Sequence, residues 1–216
     1  MAVHQLNTVS AQDALVDALR GRILGGELTP GAPISDVELA EEYGVARPTV
    51  RAAVQVLVHE GLMRREPRRR AFVPRLTADD IRDLYYVRTP LELTAIEALA
   101  KRRLVPPQAA EAVARLERLG RRGSWRDAVD ADMEFHAALI TAAGSPRLVR
   151  TYRSLATEMR LALVQLRPAY DSVSQLAAEH RGLLDAIASG SKRNACRLMQ
   201  DHLRQAVEDL TTGAPT

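Results

Sequence analysis

Apolar residues recur along most of this chain at intervals of three and four, the spacing that lines up one side of an α-helix. Leu15, Leu19 and Ile23 set the first stripe, over about 10–25, with Ser10 placed to cap its start and Gly25-Gly26 to end it. Thr29-Pro30-Gly31 reads as a turn. Ser35-x-x-Glu38 has the form of a capping box opening a shorter second helix, which Gly44 closes. A third helix is predicted over about 47–60, with Pro48 in its first turn, where no intrahelical donor is needed. Val50, Val54 and Leu57 form its inward stripe, which leaves Arg47, Thr49 and Arg51 near the open N-terminal end. The period then shortens, and Leu62–Arg65 and Ala71–Val73 read as short strands joined by an arginine turn.

After a linker at about 74–77 the helical period resumes with Thr77-x-x-Asp80 as a start signal and Ile81, Leu84, Tyr85, Val87 and Leu91 as the stripe. Six segments follow, at about 77–103, 107–120, 125–143, 146–167, 172–189 and 191–212. Pro106-Pro107, Gly120 to Gly123, Gly144-Ser145-Pro146, Pro168 and Ser189-Gly190-Ser191 punctuate them, and Pro90 is expected to kink the first. Short connections make an antiparallel bundle the default. The expected fold is therefore mostly α: a winged helix-turn-helix over residues 1–75, then an all-α antiparallel bundle over 76–216.

Charge sharpens this division. Residues 1–46 hold two Arg against seven Asp/Glu, residues 47–75 eight Arg against two Glu, and the rest is near neutral. A basic block confined to one reading unit is a footprint for phosphate. Aromatic residues make up only 4% of the chain, which suits helices packed by aliphatic stripes. Cys196 is the lone cysteine, which excludes an intrachain disulfide and suits a reducing setting. No secretory signal and no long apolar run is visible, so a cytoplasmic protein without a membrane span is expected.

A recognition helix enters the major groove by its N-terminal residues. Arg47 and Arg51 lie one turn apart there with Thr49 beside them; arginine suits guanine or phosphate, threonine a phosphate or a thymine methyl. Arg68, Arg69 and Arg70 would lie over phosphates or reach a narrow minor groove. Double-stranded DNA is the expected partner.

Residues 10–74 resemble the winged helix-turn-helix of the GntR family of bacterial transcription regulators. The likeness rests on Gly26-x-Leu28-x-Pro30-Gly31, Ser35-x-x-x-Leu39-Ala40, Gly44-Val45, Arg47-Pro48-Thr49-Val50-Arg51, Glu60-Gly61-Leu62 and Ala71-Phe72-Val73. The chain departs from the family pattern at Ala46, where a capping hydroxyl is usual, at Val37, often basic, at Ala52, often acidic, and at Arg70, in place of a wing glycine.

The histidines raise a second theme. His4 and His59 read as tail and helix surface, whereas His136, His180 and His202 fall on three bundle helices. Asp132 precedes His136 by four residues and shares its face. One carboxylate and three imidazoles could thus meet at a point, a set suited to Zn²⁺, Ni²⁺, Fe²⁺ or Mn²⁺, with Zn²⁺ the leading choice. Residues 77–212 resemble the FCD effector domain of the FadR-like GntR subfamily, and six helices suggest its VanR-like branch. The likeness implies that Asp132, His136, His180 and His202 are metal ligands, and that Arg88 helps hold a small organic acid beside the metal. Tyr85, Tyr86, Met133 and Met159 are candidates for that pocket or for plain core.

The favoured reading is a metabolite-responsive regulator, a repressor acting as a homodimer on a palindromic operator. A metal-dependent enzyme acting on a small organic acid is the alternative, with Glu134 as its base, rotated off the Asp132/His136 face. A dedicated metal sensor is a third reading.

Overall fold

The computed structural model describes residues 10–120, 124–165 and 173–212; His4, Gly123, Pro168 and the ends expected at 167 and 172 lie outside them. The chain divides into two compact units, Met1–Arg75 and Leu76–Thr216.

In the first unit, α1 (Ala11–Leu24), α2 (Asp36–Tyr43) and α3 (Arg47–His59) follow the predicted bounds closely. Ser10 caps α1 by accepting from the Asp13 N–H at 3.1 Å. Ser35 does the same for Glu38 at 3.3 Å, the forward half of the expected box. Gly44 ends α2 at φ 62°, a left-handed position that a side chain would strain, so the turn into α3 depends on it. The core draws Leu15, Leu19 and Ile23 from α1 against Val50, Val54 and Leu57 from α3.

The wing corrects the sequence reading. Instead of two strands, Arg64 and Phe72 form a single antiparallel bridge, exchanging hydrogen bonds of 2.8 and 3.0 Å, and Pro33 bridges Phe72 from the other side. Only Leu62, Met63, Ala71 and Val73 are buried here. Between them Arg68 sits at φ 64° and Pro67 has no N–H to give, so the ladder stops after one pair.

The second unit contains α4 (Ala78–Arg102), α5 (Pro107–Leu119), α6 (Trp125–Ala142), α7 (Pro146–Gln165), α8 (Val173–Ser189) and α9 (Lys192–Thr212). At the start of α4 the full reciprocal capping box forms: the Thr77 hydroxyl accepts from Asp80 N–H at 3.2 Å, and the Asp80 carboxylate accepts from Thr77 N–H at 2.9 Å. The helix continues through Pro90, which lies exposed within it. α4 packs along α9 and also touches α6, α7 and α8, so its inner face lies at the middle of the bundle.

That face differs from the one expected. Val87 is exposed and Leu91 half-buried, while Arg88 and Glu92 are buried at 2% and 1% exposure. The true stripe is Ile81, Leu84, Tyr85, Arg88, Glu92, Ala95, Ile96 and Leu99. It keeps helical spacing only if two charged residues are counted as interior, which a hydrophobic reading does not do.

Candidate functional site

Each of four helices delivers part of one buried cluster. Tyr85, Arg88 and Glu92 come from α4, Asp132 and His136 from successive turns of α6, His180 from α8 and His202 from α9. The ligand atoms of Asp132, His136, His180 and His202 all lie within 4.8 Å of one another, and all four residues are buried. His136 Nε2 is 3.4 Å from His180 Nε2 and 3.3 Å from His202 Nε2. Asp132 Oδ1 lies 3.2 Å from His180 Nε2 and 3.6 Å from His136 Nε2.

The far side of each ring decides what those inner nitrogens can do. His136 Nδ1 meets Glu92 Oε2 at 2.5 Å, His180 Nδ1 meets the Leu176 carbonyl at 2.7 Å, and His202 Nδ1 meets Glu179 Oε2 at 2.9 Å. An acceptor on every Nδ1 favours the ring proton there, the tautomer in which each Nε2 can bind a metal. Three Nε2 atoms and a carboxylate then face one another. Without a metal, His136, which burial presses down but Glu92 and Asp132 draw above its ordinary value, can share a proton with Asp132; a cation in place of that proton would bind all four. Ligand atoms about 2.0–2.1 Å from one metal lie roughly 3 Å apart, near the 3.2–3.6 Å pairs here, and the 4.8 Å spread of the whole set would close on a bound ion. An octahedral set of these four leaves positions open for a carboxylate, whereas a tetrahedron would be filled. The residues fit a divalent transition metal. Phe135 fixes the rings from outside, edge-on to His180 at 4.2 Å and to His136 at 5.1 Å between centroids.

Glu92 is the site residue that the sequence reading missed. Arg88 Nε donates to its Oε1 at 2.5 Å while its Oε2 holds His136, so one carboxylate ties the arginine to the ligand set. Burial by itself would raise Glu92, but Arg88 and then His136 outweigh it and hold its carboxyl at about 2. Asp132 lies well below the usual carboxylate range, because His136 and His180 overcome the same opposition from burial. Burial presses His202 down to about 4 against the pull of Glu179, which keeps it neutral and a competent donor.

A small cavity adjoins the cluster, bordered on its polar side by Tyr85, Arg88, Asp132, His136 and His202. Arg88 Nη1 donates to Tyr85 Oη at 3.0 Å, and Nη2 has no partner. Arg88 thus pairs with Glu92 four residues on and also lines the cavity. Of the other pocket candidates, Tyr86 is 80% exposed, while Met133 and Met159 are buried core outside the lining. Glu134 lies on the surface against Arg115, away from any catalytic geometry.

In the first unit, Arg47 shares one concave surface with Arg65, Arg68, Arg69 and Arg70 and with the start of α2. Arg51 follows one turn along the exposed face of α3, and Thr49 is half-buried beside it. Arg20 is spent on Glu60 and Arg22 on Glu42, and Arg69 pairs with Glu66 at 2.8 Å. Among the described residues, Arg47, Arg51, Arg68 and Arg70 make no ion pair. Four uncommitted guanidinium groups thus leave positive charge open on a short stretch of surface.

Ala46 occupies the N-cap of α3 and makes no side-chain cap. Ala46→Ser should therefore stabilise the protein by about 1 kcal/mol, read as a higher urea midpoint with unchanged slope.

Two stretches of the chain match known families. Residues 11–73 match the bacterial regulatory proteins of the gntR family, and residues 83–205 match the FCD domain. An HTH-type transcriptional regulator of Streptomyces ambofaciens is 31% identical over 89% of this chain and 81% of its own length. The gluconate operon transcriptional repressor of Bacillus subtilis is 27% identical over 89% of this chain and 83% of its own. Among solved structures, a transcriptional regulator GntR from Rhodococcus sp. RHA1 superposes with a TM-score of 0.78 at 26% identity, covering 94% of this chain and 99% of that one. No helix among the described residues is long and apolar enough to cross a membrane.

Proposed function

As a chain that belongs to the GntR family of bacterial regulatory proteins and carries an FCD domain, this protein is a DNA-binding transcription regulator, and we propose that it is a homodimeric repressor released from a palindromic operator by a small organic acid. The observation that carries this reading is the convergence of three imidazole Nε2 atoms and Asp132 beside Arg88, with each Nδ1 tied outward. Asp132, His136, His180 and His202 would hold the metal, with Zn²⁺ first and Ni²⁺, Mn²⁺ or Fe²⁺ as the other choices. When bound, a divalent ion supplies a Lewis-acidic point for a carboxylate oxygen. Arg88 supplies the second anchor through its unpartnered Nη2. Several relatives named as repressors, one for a gluconate operon and one for D-xylose utilisation, support the direction of control.

The chain's own connections suggest how the acid is reported. α4 carries Arg88 and begins two residues after Leu76, whose N–H donates to Gln165 Oε1 of α7 at 3.2 Å. Leu163, two residues before Gln165, lines the cavity. A ligand that prefers a slightly shifted α4 or α7 would thereby move the start of the bundle, and it can weaken operator binding only as far as that preference reaches.

Arg47, Thr49 and Arg51 read the major groove in this scheme, and Arg68 to Arg70 lie along the backbone or minor groove. Arg47→Ala should cost about 1–3 kcal/mol on the specific operator in fluorescence anisotropy if it pairs a guanine. Equal loss on random duplex would assign it to phosphate instead. Failure of the wild-type protein to bind any genomic fragment would end the proposal.

For the dimer, the face of α4 and α9 that carries Tyr86, Val87, Pro90, Leu91, Leu203 and Val207 is the surface we assign to a second copy. Tyr86 and Val87 are large apolar side chains at 80% and 38% exposure, and a palindrome requires two heads. Tyr86→Asp with Val87→Asp should yield monomers by analytical ultracentrifugation and weaken operator binding at least tenfold. A dimer that survives both changes would place the interface elsewhere.

A further inference from the structure

We infer that the acid taken by this site is a short monocarboxylate with an apolar tail, and that dicarboxylates and polyhydroxylated sugar acids are rejected; this rests on the reading above, that an organic acid binds beside a metal. The helices lay out the cavity wall turn by turn. α6 contributes Trp125, Val129, Asp132 and His136 in order, and α9 contributes His202, Ala206 and Leu210. His136 and His202 meet at 3.3 Å, so the wall turns apolar along both helices with distance from that pair, over roughly 12–16 Å at 1.5 Å per residue. Leu163 and Leu176 complete the apolar part. Its sole polar side-chain atom, Trp125 Nε1, donates to the Leu163 carbonyl at 3.0 Å. A hydroxyl or second carboxylate reaching this part would leave water with no donor or acceptor to meet it.

The polar end offers a matching single place. Arg88 has given Nε to Glu92 and Nη1 to Tyr85, which leaves Nη2 for one carboxylate oxygen. Charge points the same way. Arg88 and a divalent ion bring three positive charges against one each from Glu92 and Asp132, so one negative charge neutralises the buried set and two would overfill it. Glu179, 28% exposed and bonded to His202, adds a further negative charge, so a dianion would leave the set net negative either way. Size agrees. The cavity has about 20 Å³ of room for the centre of a water molecule, the space of one or two waters, so a short tail is the most it takes and the lining must give to admit it.

The test is isothermal titration of the full-length zinc-loaded protein with propionate, butyrate, succinate and gluconate at one pH and ionic strength. Propionate or butyrate should bind at least tenfold more tightly than succinate and gluconate. Tighter or equal binding of succinate or gluconate would overturn the inference while leaving the organic-acid reading intact. No binding by any of the four would overturn that reading itself. Val129→Ala lengthens the apolar end and should shift the optimum from propionate or butyrate toward hexanoate, with zinc content unchanged by atomic absorption. An optimum that stays in place, with the variant folded and zinc-replete, would show that the tail does not lie against Val129.

Discussion

Glu92→Ala should destabilise the bundle by about 3–5 kcal/mol, because it strands the permanently charged Arg88 in the interior with Tyr85 as its remaining partner. The loss is larger than a surface ion pair would give: both side chains are at most 2% exposed, so water cannot replace the missing carboxylate. The companion change separates electrostatics from packing. Arg88→Met with Glu92→Leu removes both charges at similar volume and should recover most of the stability in urea unfolding. A double variant as unstable as Glu92→Ala would mean that shape, not charge, holds this face.

The same residue sets an acid limb. Its folded value of about 2 lies below the ordinary 4.5, so the stabilisation it brings is fully present above about 4.5 and is lost as pH falls toward 2. A displacement of that size corresponds to about 3 kcal/mol, in line with the mutational figure. In metal-free protein, the stability gap between wild type and Glu92→Gln should therefore close as pH drops from 5 to 2.5. An unchanged gap across that window would refute the assignment.

Glu92 also shows where the sequence is legible and where it is not. Among the described residues, helix bounds came through within a residue or two, since caps such as Ser10, Ser35 and Thr77 and stops such as Gly44 act locally. The histidine spacings pointed to one cluster because each residue sits on a helix whose inner face its apolar neighbours define, as Leu183, Leu184 and Ile187 do for His180. The inner face of α4 was hidden, since a charged residue counts as exterior until its partner is known. Its signal was available: Arg88 and Glu92 fall on the Ile81–Tyr85–Ala95–Leu99 stripe while Val87 falls off it. The wing failed for a different reason. Strand propensity over Leu62–Arg65 and Ala71–Val73 is a local signal, but ladder length depends on the turn, and Arg68 at positive φ left room for one Arg64–Phe72 bridge.

Glu92 holds Arg88 with one oxygen and His136 with the other, so the anchor for an acid and the anchor for a metal are not independent. A carboxylate drawing on Arg88 Nη2 competes for the same guanidinium that Glu92 orients, and any shift of Glu92 is felt at His136 Nδ1. Acid affinity and metal affinity in this family member are thus expected to be coupled and reciprocal.

His180→Ala tests the metal half most directly, because His180 is the ligand candidate oriented by backbone alone. Its Nδ1 is held by the Leu176 carbonyl one turn back, and Phe135 packs edge-on against its ring, so removing it disturbs no other ionisable side chain's outer partner. Loss of an outer hydrogen bond to a ligand commonly costs 10–100-fold in metal affinity, so loss of a ligand should cost more than about 100-fold. At a metal concentration near a hundred times the wild-type Kd, that removes most of about 2.7 kcal/mol of metal-dependent stability, and the thermal shift on adding Zn²⁺ should nearly vanish. Phe135→Leu supplies the control: it should lower stability yet keep about one ion per chain after dialysis. The metal-free His180→Ala protein should still bind operator DNA as the metal-free wild type does, since Arg47, Arg51, Arg68 and Arg70 belong to the other unit. Full metal stoichiometry in His180→Ala would remove His180 from the ligand set, whereas loss of both metal and operator binding would mean that the histidines hold the fold rather than a switch.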